Sequence, residues 1–280
     1  MVNITEKVNG KTLASLLHFV TGKPLSKCLS DPKTEISFEE YALLSRCLKL
    51  LQKQIPLSYI LGFREFFSRK FWVNANVLIP RQESELLVEV AVDSIVNDHI
   101  FLGKKKIRIL ELGTGSGAVI ISIVLELLKH GIKVNAHASD ICPNALSLAK
   151  NNARWLGANI SFFKGDWFDF YKKGWEKYDL IVVNPPYLGL SHDKYISKEN
   201  LCFEPKLALY GLDPSIDGMS NYRQIINGLS NKTSDHSLLI MEHGSMQKRQ
   251  IRSLLKLHQL TNFKEINDLS GLPRLVKVRL

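Results

Sequence analysis

Ile107-Arg-Ile-Leu-Glu111-Leu112 runs directly into Gly113-Thr114-Gly115-Ser116-Gly117, and Ala118 to Leu128 follows without a break. The first six residues read as an apolar strand. The glycines let the backbone turn sharply and let a ligand approach it closely. Ala118 to Leu128 is apolar almost all round, as a buried helix should be. In an open α/β sheet, ligands lie outside the carboxyl ends of the strands. The loop at Gly113 to Gly117 is therefore the first candidate binding site.

Strands and helices alternate beyond it. Val134 to Ser139 reads as a strand ending at Asp140. Pro143 suits the first turn of the next helix and Gly157 its C-terminal cap. Ile160 to Phe163 is a short strand. Tyr178 to Val183 is apolar on both faces, as a central parallel strand should be. Leu238 to Met241 is another strand, followed by a helix near Met246 to Leu257. Phe263 to Ile266 and Leu275 to Val278 supply the last two strands. This order predicts an α/β fold, a mostly parallel seven-stranded sheet with helices on both faces.

Upstream, Glu85 to Val96 looks helical. Phe66 to Ile79 is rich in β-formers, with polar breaks at Ser68–Arg69–Lys70 and Asn74–Ala75–Asn76, and reads as a hairpin or short strands. Leu13, Leu16, Leu17 and Val20 lie on one helical face, which Gly22 and Pro24 end. Ser37-x-x-Glu40 is a capping box, and Tyr41, Leu44, Leu48 and Leu51 form the stripe behind it, closed by Pro56. The expected organisation is a helical domain over 1–60, a hairpin linker over 61–84 and a ligand-binding domain over 85–280.

Composition agrees with a globular chain. Of 280 residues, 45% are hydrophobic and 23% charged, and mean hydropathy is −0.04. The four cysteines are scattered with no C-x-x-C pair. That argues against a zinc site or disulfide framework and for a reducing cytoplasm. No metal site is expected. The longest apolar run is too short to span a bilayer, and Met1 to Gly10 has no apolar signal-peptide core. Lys and Arg outnumber Asp and Glu by 37 to 27, a net charge of +10. The surplus raises the odds of a nucleic-acid or ribosomal partner. It is dispersed apart from short runs such as Lys104 to Lys106, so it weighs little.

Three more sites carry chemistry. Asp140 is placed to accept ribose hydroxyls of an adenosine-containing cofactor, or simply to cap the following helix. Gly113-x-Gly115-x-x-Ala118 satisfies the dinucleotide fingerprint, so nicotinamide and S-adenosylmethionine cofactors both remain open here. Asp166-Trp167 offers an acceptor for an adenine amine and an indole to pack on its ring, or a buried tryptophan beside a turn. Asn184-Pro185-Pro186-Tyr187 follows a central strand. The prolines remove two amide donors and leave the Pro185 carbonyl free. With the Asn184 side-chain oxygen it makes two acceptors, which match the two N–H donors of a planar –NH2 group. Tyr187 adds a flat face for that group.

Asn-Pro-Pro-Tyr in this position resembles class I methyltransferases acting on planar nitrogens. These are the exocyclic amines of adenine or cytosine and the side-chain amide of glutamine. The flanking sequence narrows the choice. Leu61-Gly62-Phe-Arg64-Glu65-Phe66-Phe67 and Val77-Leu-Ile-Pro80-Arg81-Gln-Glu83-Ser-Glu85 are similar to the peptide chain release factor N(5)-glutamine methyltransferase family. So are Asp166-Trp167-Phe168, Phe203-Glu204-Pro205 with Ala208-Leu209, Asp217-Gly218-Met219 and Met241-Glu242-His243-Gly244. Asp268, Gly271 and Arg274 keep the frame of a last hairpin.

That resemblance implies a Rossmann-like methyltransferase domain behind a small helical recognition domain and a hairpin linker. It implies S-adenosyl-L-methionine as cofactor, held by Gly113, Thr114, Gly115, Ser116, Gly117, Asp140, Trp167 and Asn184. Asn184, Pro185, Pro186 and Tyr187 would hold the glutamine of the Gly-Gly-Gln loop in class 1 release factors. A cytoplasmic monomer with no membrane contact and no stable nucleic-acid complex is expected. The competing reading is a nucleic-acid adenine-N(6) methyltransferase. It shares the glycine loop and Asn-Pro-Pro-Tyr and suits the positive charge. Against it stand the Leu61 to Glu85 segment and the lack of a separate basic recognition domain.

Overall fold

The computed structural model describes residues 8–31, 35–104, 106–190 and 201–280, so Lys105 of the basic run and most of Met1 to Gly10 lie outside the described residues. The described chain divides into two compact units. One runs through Phe63 and takes in 201–203, and the other begins at Arg64.

The first unit is helical, with α1 (Gly10–Thr21), α2 (Leu25–Ser30), α3 (Phe38–Gln52) and α4 (Leu57–Leu61). Gly22 ends α1 in the left-handed region, with φ 65°. The Ser37–Glu40 capping box forms, with N–H donors at 3.2 and 2.6 Å from the reciprocal side-chain oxygens. Ala14, Leu16, Leu17, Cys28, Leu44, Cys47 and Leu48 make the core. Tyr41, expected in the stripe, is exposed. Leu44, Cys47 and Leu48 are spaced i, i+3, i+4 and centre the buried face beyond the first turn. α3 also stops at Gln52, four residues before Pro56. The short α2 and α4 each start after a proline and show too few residues for a period.

The second unit opens with a hairpin of β1 (Phe63–Phe66) and β2 (Arg69–Trp72). The expected break at Ser68–Arg69–Lys70 is displaced. Phe67 and Ser68 form the turn, with φ 49° and 58°. Two positive φ angles match the right-handed twist of the flanking strands. The Phe67 N–H donates to Glu85 Oε1 at 2.9 Å, and Arg69 pairs with Glu126. Val73 to Ile79, read as β-rich, forms no strand. The hairpin is not a bare connector, since Phe66 and Phe71 are buried in the main core.

The main sheet contains β3 (Ile107–Leu112), β4 (Val134–Asp140), β5 (Ile160–Lys164), β6 (Tyr178–Val183), β7 (Thr233–Glu242), β8 (Phe263–Asn267) and β9 (Pro273–Arg279). Its order is β5-β4-β3-β6-β7-β9-β8. All pairings are parallel except those of β9, which runs antiparallel to β7 and β8. Helices α5 (Glu85–Asn97), α6 (Ala118–Lys129), α7 (Pro143–Leu156), α8 (Lys206–Tyr210), α9 (Ser220–Gly228) and α10 (Lys248–Leu257) accompany it. Ile109, Leu180, Val182 and Ile240 pack in one core with α5 and α6. Leu110, Ile181, Val183 and Met241 pack in another with α9 and α10. Alternate residues of each central strand thus enter opposite layers, as period-2 geometry requires. β7 is longer than expected, because its first residues, Thr-Ser-Asp-His, are polar and unburied. α9 was not foreseen, since its buried face includes Asn221 and mixes with polar residues. Asp268, Gly271 and Arg274 do close the last hairpin. Gly271 has φ 78° and Arg274 pairs with Asp268 at 3.2 Å. No described helix is long and apolar enough to cross a membrane.

The chain runs outward from β3 to β5, then returns to β6 on the other flank of β3. That reversal is where open α/β sheets hold ligands. Leu112 lies opposite Ser139 and Val183, and Val183 lies opposite Met241. The next residues, Gly113, Asp140, Asn184 and Glu242, therefore leave the sheet side by side.

Asn152 of α7 ties the hairpin to the glycine loop. It is fully buried, accepts from the Trp72 N–H at 2.9 Å and donates to the carbonyls of Trp72 at 3.0 Å and Ser116 at 2.8 Å. Asn152→Ala leaves these groups unpaired and should lower stability by about 1–3 kcal/mol. A urea titration with an unshifted midpoint would refute this.

Candidate active site

The strand ends open onto a cavity lined by Gly113, Thr114, Gly115, Ser116, Asp140, Trp167, Asn184 and Pro186. Gly117, Pro185 and Tyr187 lie outside the lining. Gly117, expected with the loop, faces away from it. With φ 82°, a Cβ there would stand 2.8 Å from Ile121 Cδ1 and 3.2 Å from Ala149 Cβ. Its glycine serves the packing of α6 against α7.

Asp140 does two things at once. Its Oδ2 accepts from the Gly115 N–H and its Oδ1 from the Cys142 N–H, both at 2.8 Å. It thus fixes the glycine loop and turns the chain into α7. A carboxylate has about four lone-pair sites, so acceptor capacity remains toward the cavity. Trp167 sits in the left-handed region at φ 44°. Its indole N–H donates to Gln224 Oε1 at 2.8 Å, and the Ser139 hydroxyl donates to its carbonyl at 3.2 Å. A Cβ on Gly113 would lie 3.7 Å from the indole, so ring and loop are in contact range.

Glu111, Asp140 and Asp166 line the cavity, and Arg81, the one cationic residue of the lining among the described residues, is paired with Glu204. Burial pushes the Glu111 carboxyl up to about 8, against hydrogen bonds from Thr114 and the Ile120 amide and with help from Asp140. Burial also lifts Asp140, and burial with Asp169 lifts Asp166. These shifts reflect the cost of charging a carboxyl in a pocket partly closed to water.

The Asn-Pro-Pro-Tyr segment is held from behind. The Pro186 carbonyl accepts from Asn221 Nδ2 at 2.7 Å, and the Tyr187 carbonyl from Gln247 Nε2 at 3.0 Å. Asn184 Nδ2 donates to Ser84 Oγ at 3.1 Å. No described residue donates to the Pro185 carbonyl or to Asn184 Oδ1. Two acceptors from adjacent residues are left over, which is the arrangement a planar –NH2 group needs.

The methyltransferase-domain family matches residues 103–269. The release factor glutamine methyltransferase of Neisseria gonorrhoeae is 38% identical over 232 residues, 82% of this chain and 79% of that protein. The protein of the same name from Haemophilus influenzae is 32% identical over 259 residues, 91% and 86% of the two chains. The chain belongs to the release factor glutamine methyltransferase family. Two solved structures share its fold. The hMettl16 catalytic domain in complex with MAT2A 3'UTR hairpin 1 has a TM-score of 0.56 at 12% identity, over 98% of this chain and 92% of that one. Human methyltransferase 10 domain containing protein has a TM-score of 0.53 at 15% identity, over 88% and 99%.

S-adenosylmethionine is the cofactor of this methyltransferase domain. The residues present fit it, since the glycine loop, the Asp140 carboxylate with its spare lone pairs and the Trp167 ring line one cavity.

Some residues of the family motifs brace the cavity walls from behind. Glu204 accepts from the Ile79 N–H at 3.0 Å and pairs with Arg81. The Leu188 N–H donates to the Leu209 carbonyl at 3.1 Å. A Cβ on Gly218 would collide with the Tyr187 carbonyl. Gln224, Asn221, Gln247 and Ser84 were missed as site residues. Ser84 and Glu242 sit inside quoted family motifs, the one signal that pointed to them. Gln224 and Asn221 are polar residues on a helix whose apolar face is carried by Tyr222, Ile225 and Ile226.

Glu111 sets a pH dependence. Its folded pKa lies above the usual 4.5, so the native state keeps a proton that the unfolded chain releases. That contribution to stability is full below pH 4.5 and is lost as pH rises to about 8. Glu111→Gln should remove this loss, gaining on the wild type by a few kcal/mol as pH rises, at about 1.4 kcal/mol per pKa unit. Denaturation at acid and alkaline ends of that window checks it; parallel curves would contradict it.

Proposed function

We propose that the chain methylates the side-chain amide nitrogen of the glutamine in the Gly-Gly-Gln motif of class 1 release factors. The pair of unpartnered acceptors, Asn184 Oδ1 and the Pro185 carbonyl, carries this reading. The names of the bacterial relatives supply the substrate. S-adenosylmethionine, when bound, supplies the methyl group as a sulfonium.

An amide nitrogen is a poor nucleophile, because its lone pair is delocalised into the carbonyl. It gains positive charge as the new bond forms. Asn184 Oδ1 and the Pro185 carbonyl each accept one N–H, which stabilises that charge and aims the nitrogen. Tyr187 packs against the amide plane. Gly113 to Ser116, Asp140 and Trp167 hold the cofactor, Asp140 through its spare lone pairs to the ribose and Trp167 through its ring. Gly117 supports the loop from behind. The amide proton leaves to water. The helical domain contacts the release factor. A cytoplasmic monomer without a stable nucleic-acid complex accords with the scattered, free cysteines and dispersed charge.

Incubation with labelled S-adenosylmethionine tests the reading, using release factor with and without the motif glutamine and a DNA oligomer as control. Label should appear on the wild-type release factor alone. Label on the DNA would overturn the assignment. Asn184→Ala should fold and lose about a hundred- to thousandfold in turnover. Asp140→Ala should weaken S-adenosylmethionine binding in calorimetry; unchanged affinity would reduce Asp140 to its loop and helix contacts.

A further inference from the structure

The hydrogen bonds behind Asn184 have a direction, and that direction decides what the site can hold. Asn184 Nδ2 donates to Ser84 Oγ at 3.1 Å, and Ser84 Oγ donates to Glu242 Oε2 at 2.7 Å. Ser84 and Glu242 are 3% and 1% exposed. A serine hydroxyl has one proton and accepts as readily as it donates. Alone, it would take either end of the Asn184 amide. An ionised carboxylate only accepts. Once the Ser84 proton is directed to Glu242, Ser84 offers Asn184 nothing but lone pairs. Asn184 must then turn Nδ2 inward and leave Oδ1 for the cavity. The opposite orientation would set two N–H donors against the two donors of an incoming –NH2 group.

We propose that Ser84 and Glu242 are positioning residues for methyl transfer, with the buried Glu242 carboxylate acting through the Ser84 hydroxyl to set which end of Asn184 faces the substrate amide. This rests on the reading of Asn184 as an acceptor for that amide. The three residues come from separate places: Ser84 from the turn before α5, Asn184 from the end of β6 and Glu242 from the end of β7. Only the folded sheet brings them together.

The relay has a built-in dependence on protonation. Burial pushes Glu242 up to about 7, with Glu83 adding to the effect and the Ser84 hydrogen bond, Arg274 and Arg81 opposing it. Tyr187 and Tyr222 also face it, both held neutral by burial. The Tyr222 hydroxyl donates to the Glu242 backbone carbonyl at 2.9 Å and leaves its carboxylate alone. Protonated Glu242 can donate to Ser84. The Ser84 proton is then free to turn to Asn184 Oδ1, and the chain of donors runs backwards. The acceptor arrangement is therefore present above this pKa and is lost as pH falls through about 7.

Methylation of release factor by wild type, Ser84→Ala, Ser84→Thr and Glu242→Gln is measured below and above pH 7, with a melting curve and a calorimetric S-adenosylmethionine Kd for each. Ser84→Ala and Glu242→Gln should lower kcat by roughly ten- to hundredfold, the range for outer partners that orient a functional group. Their cofactor Kd should stay at the wild-type value. Ser84→Thr should recover most of the rate lost in Ser84→Ala. The wild-type rate should fall as pH drops through about 7, and the Glu242→Gln profile should be flat there. A folded, cofactor-binding Glu242→Gln with the wild-type rate and profile overturns the relay. The Asn184 side-chain NH2 resonance in a 15N spectrum gives a readout independent of substrate. A resonance that titrates near pH 7 in wild type supports the relay even if release factor is not methylated, and one that stays fixed overturns it.

Discussion

The register of the parallel strands is the constraint on which the rest depends. Leu112, Ser139, Val183 and Met241 share one row across β4, β3, β6 and β7. One residue further along, four unlike chemistries emerge together: a left-handed glycine, an aspartate, an asparagine and a buried glutamate. A slip of one residue in any strand would turn its inward side chains to the opposite layer. The apolar residues that fill both layers therefore hold the site in register, although none of them touches a ligand.

Behind that row stands a second set of polar groups, nearly all aimed at backbone. Asn221 and Gln247 take the carbonyls of Pro186 and Tyr187, Asn152 takes those of Trp72 and Ser116, and Glu204 takes the Ile79 amide. Two adjacent prolines cannot donate, so this segment cannot be fixed by ordinary strand pairing. Side chains from distant parts of the sequence fix it instead. The Pro185 carbonyl and Asn184 Oδ1 are left beside two carbonyls that are held.

Much of this was legible in the sequence, where local chemistry decides local structure. β3 and β6 fell where their apolar runs lie, because both faces of each strand are buried. The Ser37–Glu40 box and the Gly157 cap are short-range devices and read directly. The glycine loop, Asp140 and Asn184 were placed by position at strand ends. What stayed hidden depended on tertiary partners. Ser84 depends on Asn184 and Glu242, which are about a hundred residues or more away in the chain. Gln224 and Asn221 are polar residues of a short helix, and nothing local marks them as facing a cavity. The first half of β7 carries no apolar signal, and the hairpin turn falls on Phe67, a residue that gives no turn cue. Gly117 belongs to the loop by motif, and its lack of a side chain also lets α6 pack against α7.

The placement of β9 has a consequence for the order in which the molecule is completed. This strand follows β7 and β8 in the chain but is inserted between them in the sheet. During synthesis, β7 must wait with one bare edge until the residues beyond Asp268 have emerged. Bare edges invite pairing with other chains. Glu242 is paired with Leu275 of that late strand. The corner of the cavity that orients Asn184 is thus the last to be locked, and a nascent chain would acquire its glycine loop before it acquires a defined Glu242.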